Sequence, residues 1–308
     1  MSVEHYIHLM KGKSLTGIMK GVVNVITHKW KQFLLFIRPV STQGISGRTE
    51  IEYVVSLTSF PARINCVYYS VKSILNQSLK ADAVILWLAE EQFPNKESDL
   101  PLKLLNLRKH GLTINWCSDM RSYKKILPTL KLFPQANIIT TDDDVYYSTK
   151  WLSGLIEAFK KDPTKVYCYR AAKIKFEPNF ERENPQKGVC YPRATYLHQQ
   201  TGVGGVLYPQ GCFHKDINRL DLINKFAPTN DDLWLWFMVI KNNYKIDVLN
   251  ENNFELFYIG DSQDVSLTSI NDHGEKLYDS QLKQLFNLYP DVLDTLRDEQ
   301  KEWREKYK

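Results

Sequence analysis

The sequence predicts an α/β fold with a mostly parallel sheet that helices cover on both faces. Short, nearly continuous apolar runs alternate along residues 51–161 with segments whose apolar residues have helical spacing. This alternation is typical of parallel sheets. The 308 residues are 43% hydrophobic, 12% aromatic and 24% charged, which is the composition of a folded protein of enzyme size.

The predicted elements follow one another in a regular order. The strands are the runs EYVVSL, AVILWL, LTINW and NIITT, at 52–57, 83–88, 112–116 and 137–141. The helices are predicted at 67–75, 100–110, 123–133 and 151–161. Gly111 ends the second of these helices, and Pro128 interrupts the third. Because ligands of such sheets bind at the carboxyl ends of the strands, the loops after the strands form the candidate site.

Residues 1–48 predict a basic amphipathic segment followed by a linker. From Leu15 to Ile37 the apolar residues recur in steps of 4, 3, 4, 4, 3 and 4, which is one face of a helix. Basic residues within 13–38 recur along another face, so peripheral contact with an anionic membrane surface is one interpretation. Packing on the body or on another subunit is the alternative. The Gly and Ser of residues 41–47 predict the linker.

Two further parts complete the predicted organisation. Residues 49–270 are the predicted catalytic domain, and residues 271–308 are a C-terminal helical extension. Amphipathic helices are predicted there at 277–289 and 292–307. They are expected either to close over the acceptor or to pack outside the domain.

Composition and charge narrow the class of function. The seven Lys/Arg and two Glu of residues 1–50 account for the whole net charge of +5, because the remaining residues hold 33 of each sign. This distribution argues against a nucleic-acid partner. The five cysteines are far apart in the sequence, so neither a disulfide scaffold nor a zinc cluster is indicated. No apolar stretch approaches the roughly 20 residues of a spanning helix. Because the start of the chain does not resemble an export signal and the cysteines are predicted to be free thiols, a cytoplasmic location is expected, with peripheral contact at the inner membrane face as one interpretation of the basic segment.

Three consecutive aspartates, Asp142, Asp143 and Asp144, directly follow the fourth predicted strand. Neighbouring carboxylates disfavour one another's ionisation, so a positive partner is expected. A divalent cation, Mn2+ or Mg2+, would supply it through the oxygen ligands of Asp142 and Asp144. A solvated turn or a helix N-cap is the alternative interpretation.

Seven segments occur in an order that resembles the bacterial polysaccharide glycosyltransferases of the GT-A fold, over about residues 51 to 270. They are VVSLTSFPARI, SILNQS, VILWLAEEQFP, DMRSYKKILP, IITTDDDVYY, GVGGVLYP and NDDLWLW. The resemblance implies transfer of a sugar from a nucleotide-sugar donor, with UDP-sugars favoured, to a saccharide acceptor such as a growing cell-surface polysaccharide. It also implies a divalent metal that holds the diphosphate.

The resemblance further implies a donor site along the ends of the strands. The base and ribose would follow the first strand, a uracil-type base would face an Asp after the third, a Lys pair would meet the diphosphate, and glycines would lie beside the donor sugar. The residues so implied are Thr58, Ser59, Phe60, Arg63, Asp119, Arg121, Lys124, Lys125, Asp143, Gly204 and Gly205. Phe60 in the core, a solvated Lys pair and a tight glycine turn are the alternatives.

Asp231 and Asp232 precede a strongly apolar run at 233–240, and one of them is the expected N-cap of a helix. In inverting members of the family, the acidic residue at such a helix start removes the proton from the acceptor hydroxyl. Inversion needs a base on one side of the sugar and a metal on the other, which this arrangement would satisfy, with Asp232 preferred as the base. His273 is the implied further metal ligand, and a surface His is the alternative.

Three competing functions remain at this point: a retaining glycosyltransferase, a nucleotidyltransferase and a non-catalytic carbohydrate-binding or assembly protein. A nucleotidyltransferase usually has a Gly-rich phosphate loop after the first strand, which SLTSFPARI lacks. The 17 Tyr and 7 Trp would suit carbohydrate binding. Such a protein, however, needs neither the acidic triplet nor Asp231 and Asp232.

Overall fold

The described part of the chain, in a computed structural model, comprises residues 23, 26–27, 29–30, 33–34, 36–176, 180–183, 190–249, 256–259 and 275–306. Its strands are β1 (Tyr53–Thr58), β2 (Ala83–Ala89), β3 (Leu112–Cys117), β4 (Asn137–Thr140), β5 (Val145–Tyr146), β6 (Lys165–Cys168), β7 (Ala171–Lys175), β8 (Glu181–Glu183), β9 (His198–Gln200), β10 (Val206–Tyr208), β11 (Lys245–Val248) and β12 (Phe257–Tyr258). Its α-helices after residue 50 are α1 (Val67–Leu75), α2 (Leu102–Leu105), α3 (Leu127–Leu132), α4 (Trp151–Lys161), α5 (Leu220–Phe226), α6 (Asp231–Lys241), α7 (Glu275–Leu288) and α8 (Pro290–Lys306).

A seven-stranded sheet with the spatial order β11-β6-β10-β4-β1-β2-β3 forms the centre of the fold. All its strands are parallel except β10, which runs antiparallel to both of its neighbours. Val54 of β1 lies beside Ala83 on one side and Ile138 on the other. The prediction of a mostly parallel α/β sheet is confirmed. Two smaller sheets, β12-β5 and β8-β7-β9, flank the central one.

Alternate residues of the central strands enter two hydrophobic cores, one on each face of the sheet. Val54 of β1 belongs to the core that contains α6, whereas Val55 and Leu57 belong to the core that contains α1 and α4. This follows from the two-residue period of a strand. The two C-terminal helices join the α6 core through Leu285 of α7 and Leu296 of α8. The sheet is therefore covered on both faces, as predicted.

Turn chemistry accounts for where the predicted helices differ from the observed ones. The predicted helix at 100–110 consists of α2 and a 3-10 helix at Asn106–His110, and it ends at Gly111 with a φ of +108°. The predicted helix at 123–133 is divided into a 3-10 helix at Arg121–Lys125 and α3. Pro128 stands in the first turn of α3, where its missing N–H is no loss.

The segment predicted as a linker, residues 41–47, lies against the body. The backbone N–H of Ser41 donates to Oδ1 of Asn76 at 2.6 Å, and that of Gly44 donates to the carbonyl of His110 at 3.0 Å. A Cβ at Gly44 would lie 2.2 Å from that carbonyl oxygen. Only a glycine therefore permits so close an approach at this position.

The predicted N-terminal helix is described only in part. The described residues between 23 and 37 are helical, while Leu15, Met19 and Val22 lie outside the described residues. Within the described residues, no helix is both long enough and apolar enough to cross a membrane.

Asp82 ties the start of β1 to the segment before it. Its buried carboxylate accepts hydrogen bonds from Ser46, from Arg48 and from the backbone N–H groups of Glu52 and Tyr53. Burial acts to raise the pKa of Asp82, but these hydrogen bonds and the Arg48 charge outweigh it and lower the pKa below its ordinary value. The ionised form is therefore the one that the fold stabilises.

We expect Asp82→Asn to lower the free energy of unfolding at neutral pH by about 2 kcal/mol, because charge-assisted hydrogen bonds are lost. Because the pKa of Asp82 is lower in the folded state than in the unfolded state, ionisation of Asp82 stabilises the fold. This stabilisation is complete above the unfolded-state pKa of about 3.9 and is lost as the pH falls through the folded-state pKa. The variant should therefore lose less stability than the wild type on acidification below about pH 4. Urea unfolding at several pH values measures both effects. Asp298→Asn, at a side chain that is 73% exposed, is the control, and an equal effect of both substitutions would contradict the role of Asp82.

Candidate active site

Four loops meet at the carboxyl edge of the central sheet. They are the loop after β1, the loop between β4 and β5, the glycine loop between β9 and β10, and the residues that lead into α6. The 3-10 helix Arg121–Lys125 lies beside them, against β1 and β2. This edge therefore collects most of the residues that the sequence singles out.

The loop after β1 holds the acidic triplet through Ser59 and Arg63. The Ser59 hydroxyl donates to Oδ2 of Asp143 at 2.6 Å, and Arg63 donates to Oδ1 of Asp143 at 2.8 Å. The same guanidinium nitrogen lies 3.1 Å from Oδ2 of Asp144. Burial raises the pKa of Asp143, although Arg63 and Ser59 oppose this. Arg63 thus acts as an internal counter-ion for two of the three aspartates.

Lys125 joins the acidic triplet to the start of α6. Its Nζ lies 2.9 Å from Oδ1 of Asp142 and 3.1 Å from Oδ2 of Asp231, and its side chain is only 6% exposed. Burial acts to lower the pKa of Lys125, but the carboxylates of Asp142, Asp231 and Asp232 outweigh it and raise the pKa well above its ordinary value. Lys125 is therefore a buried, protonated link between the two acidic groups.

Asp232 has a different environment from Asp231. Both of its carboxylate oxygens accept from the backbone N–H of Gly202 at 3.1 Å. Burial and the neighbouring Asp231 charge raise the pKa of Asp232, against the influence of Lys125. A carboxylate with a raised pKa is a stronger base, so Asp232 is suited to accept a proton.

The N-cap of α6 differs from the prediction. Asn230 is the N-cap, and its side-chain oxygen accepts from the backbone N–H of Leu233 at 3.2 Å. Asp231 and Asp232 instead occupy the first turn, so the prediction that one of them is the N-cap is wrong. The physical reason is that Asn caps as well as Asp does. Both carboxylates are thereby left available to the site and lie near the positive end of the helix dipole.

The glycine loop is packed tightly against these charges. A Cβ on Gly202 would lie 2.9 Å from Nζ of Lys125 and 3.3 Å from Oδ1 of both Asp142 and Asp232. Gly205 has a φ of +85°, and a Cβ there would lie 2.4 Å from the ring of Trp151. Gly202 makes the closer approach to the charged groups, whereas Gly205 allows the turn itself.

Two aromatic side chains fasten the glycine loop to the triplet. The Tyr147 hydroxyl accepts from the backbone N–H of Asp142 at 3.0 Å and donates to the carbonyl of Val203 at 3.3 Å. Trp151 donates through Nε1 to the carbonyl of Gly204 at 2.8 Å. Both aromatic residues are fully buried, so these hydrogen bonds hold the glycine loop in a defined position next to the triplet.

Asp119 and Lys124 form a second charged pair after β3. Nζ of Lys124 lies 2.7 Å from Oδ1 of Asp119, and Gln92 donates to Oδ2 at 2.8 Å. Burial acts to raise the pKa of Asp119, but the bonds from Lys124 and from the backbone N–H of Arg121 lower it. The Arg121 guanidinium donates to the carbonyl of Pro228 at 3.1 Å. Both lysines of the pair at 124–125 are buried against carboxylates, so the solvated-pair alternative is wrong.

Thr58 and Phe60 contribute to the structure around the site. The Thr58 hydroxyl donates to the carbonyl of Trp87 on β2 at 2.8 Å. The guanidinium carbon of Arg63 lies 5.6 Å from the centre of the Phe60 ring. Phe60 therefore supports the arginine that binds the triplet.

Three further residues near the site, Arg170, Gln200 and Tyr258, are marked by no motif in the sequence. Arg170 is buried against Gly204 and hydrogen-bonds with Tyr258. Gln200 donates to the carbonyl of Asp232 at 3.3 Å, and its buried Oε1 has no hydrogen-bond partner among the described residues. These residues lie in short strands or between them, where no motif marks them.

Of the three predicted metal ligands, Asp142 and Asp144 belong to the described residues. His273 lies outside the described residues. Among the residues that are described, no group of three or more His, Cys, Asp or Glu is arranged as a metal site. Asp142 and Asp144 each have one oxygen beside a cation of the protein, Lys125 and Arg63 respectively.

Comparison with solved structures shows likenesses at low sequence identity. No protein-family model matches the chain, and no curated protein sequence matches it. The mannosyltransferase PcManGT from Pyrobaculum calidifontis, in complex with GDP-Man and Mn2+, is similar over 73% of this chain, with 13% identity and a TM-score of 0.39. S. aureus TarS 1-349 is similar over 69% of this chain, with 14% identity and a TM-score of 0.44. In both cases the chain spans 61% of the length of the other protein, and the likeness assigns no role to any residue here.

Proposed function

We propose that this protein is a metal-dependent glycosyltransferase that moves a sugar from a nucleotide-diphosphate donor to a saccharide acceptor, with inversion at the anomeric carbon. One observation carries the proposal. The acidic triplet and the Asp231–Asp232 pair meet across Lys125 at the carboxyl ends of parallel strands. Ligands of open α/β sheets bind at this edge, and the ordered motifs that resemble GT-A enzymes surround the same place.

The charges at this edge suit a donor that arrives with a divalent cation. Asp142 and Asp144 offer hard oxygen ligands, and two carboxylates with the oxygens of a diphosphate make the kind of site that Mg2+ takes with nucleotides. The five carboxylates of the two acidic groups also outnumber Arg63 and Lys125, two cations that lie within 3.1 Å of them. An anionic diphosphate would be repelled by that excess. Bound Mn2+ or Mg2+ would neutralise the charge that develops on the departing diphosphate.

The proton acceptor in this proposal is Asp232. Asp231 is engaged in an ion pair with Lys125, whereas Asp232 is held by a backbone N–H and has a raised pKa. The acceptor hydroxyl gives its proton to Asp232 as its oxygen attacks the anomeric carbon. The diphosphate leaves from the opposite face, on the side of Asp142 and Asp144.

The nucleotide would lie along the loops after β1 and β3. Asp119 is held at the end of β3 by Lys124 and Gln92, so an acceptor of hydrogen bonds with a defined position is present for a base. A uracil-type base, and hence a UDP-sugar, is favoured. A growing cell-surface polysaccharide is the acceptor class that the family resemblance implies.

We expect Asp232→Asn to reduce sugar transfer by about 10²–10⁴-fold, which is the usual contribution of a general base, while donor affinity stays unchanged. Asp231→Asn should reduce transfer less, because Asp232 is kept and Lys125 retains Asp142 as a partner. Transfer rates with a saturating donor and donor affinity by calorimetry measure the two effects. Transfer by Asp232→Asn within about threefold of the wild type would contradict the assignment of the base.

The reaction class is tested with a panel of UDP-, GDP- and CDP-sugars in the presence of Mn2+, Mg2+ or EDTA. We expect use of one donor with either metal, and loss of donor binding in EDTA and in the variant Asp142→Ala/Asp144→Ala. Asp298→Ala, at an exposed position, is the matched control.

Two results of that panel would contradict the proposal. Binding of no donor with metal present would support a non-catalytic carbohydrate-binding protein. A product with the same anomeric configuration as the donor, read by NMR, would support a retaining glycosyltransferase.

A further inference from the structure

The described helical residues between 23 and 37 present an apolar face to solvent. Its members recur in steps of 3, 4, 3 and 4, and each is more than half exposed. They are Val23, Ile26, Trp30, Phe33 and Ile37, with exposures of 58%, 62%, 59%, 51% and 57%, and are called here the apolar helix face. The rings of Trp30 and Phe33 stack at 5.7 Å. A contiguous apolar patch of this kind marks a contact surface.

The body of the protein holds the carboxyl end of this helical segment. The ring of Phe36, which lies outside the apolar helix face, stacks on Tyr69 at 4.0 Å. Lys72 donates through Nζ to the carbonyl of Phe36 at 2.7 Å, and Asn76 donates to the carbonyl of Pro39 at 2.9 Å. One side of the segment is therefore used for contact with α1, and the apolar helix face is left uncovered among the described residues.

The adjoining surface of the body has the same character. Leu102, at the start of α2, is 78% exposed. Its neighbour Lys103 places Nζ 5.4 Å from the ring of Tyr68 and 5.1 Å from the ring of Tyr69. Because Tyr69 also stacks on Phe36, Lys103 lies next to the helical segment, and the exposed Leu102 directly precedes it in the chain.

The positive charge of the N-terminal residues indicates which kind of partner this surface would bind. Residues 1–50 carry the whole net charge of +5. In the sequence, Lys13, Lys20, Lys31 and Arg38 recur at intervals of 7, 11 and 7, a spacing that predicts one basic line along a helix; the three lysines lie outside the described residues. A helix with an apolar face and a basic flank lies in the plane of an anionic lipid interface, where its apolar side chains enter the acyl boundary. Basic residues near such a surface are attracted to its anionic headgroups.

We propose that the apolar helix face, together with Leu102 and Lys103, docks the protein on an anionic lipid surface. This inference does not depend on the glycosyltransferase proposal, because it rests on a separate set of residues. The docking surface is nevertheless close to the candidate site. Tyr69 packs in one cluster with Tyr146, which follows Asp144 by two residues.

The test is co-sedimentation of the full chain with phosphatidylcholine vesicles, prepared with and without phosphatidylglycerol. We expect binding to the anionic vesicles that weakens as salt is raised. Trp30→Ser/Phe33→Ser should weaken partition about tenfold or more, since two exposed apolar side chains lose their insertion energy. Leu132→Ser/Leu220→Ser, at exposed leucines of α3 and α5, is the matched control and should bind as the wild type does.

Quenching of Trp fluorescence by lipids with brominated chains tests insertion directly. We expect quenching in the wild type and its loss in Trp30→Phe, which should still bind the vesicles. Equal loss of binding in the helix variant and the leucine control would overturn the proposal, as would binding that is independent of anionic lipid. Failure to bind, with sedimentation equilibrium showing a dimer that Trp30→Ser/Phe33→Ser dissociates, would assign the surface to a second copy of the chain instead.

Discussion

The candidate site depends on the ion pairs that the buried ammonium of Lys125 makes with two carboxylates. The ammonium lies between a carboxylate of the loop after β4 and a carboxylate of the first turn of α6, two elements that approach the sheet edge from different directions. Removing one partner from a buried ion pair leaves an uncompensated charge, which is strongly destabilising. The position of Lys125 therefore restricts where the acidic triplet and the start of α6 can lie. Arg63 does the same for the other two aspartates.

The second constraint is the close approach of the glycine-loop backbone to the charged side chains of the site. Gly202 brings its N–H to Asp232 and has no room for a side chain beside Lys125. The hydroxyl of Tyr147 ties this loop to the backbone of Asp142. The charges of the site are thus held by backbone and by buried aromatic groups rather than by exposed, mobile side chains. Rigid support of this kind keeps reacting groups at fixed distances.

The C-terminal helix α8 also supports the candidate site. Glu299 of α8 accepts hydrogen bonds from Thr195 and from the backbone N–H of Tyr196, each at 2.6 Å, and pairs with Lys245 of β11. These contacts fix α8 to the strand that ends the sheet and to the segment that leads into β9. Because β9 continues into the glycine loop, the C-terminal extension supports one wall of the candidate site.

Local patterns in the sequence were enough to predict the alternating strands and helices, the place of the acidic triplet at a strand end and the two C-terminal helices. Hydrophobic period and turn residues decide these features, and both act over a few neighbouring positions. They could not predict that Asn230, rather than Asp231, caps α6, since either side chain suits an N-cap. Nor could they predict that Lys124 and Lys125 pair with different acids. Lys125 and Asp231 are 106 positions apart, and only the order of strands in the folded sheet brings them within 3.1 Å.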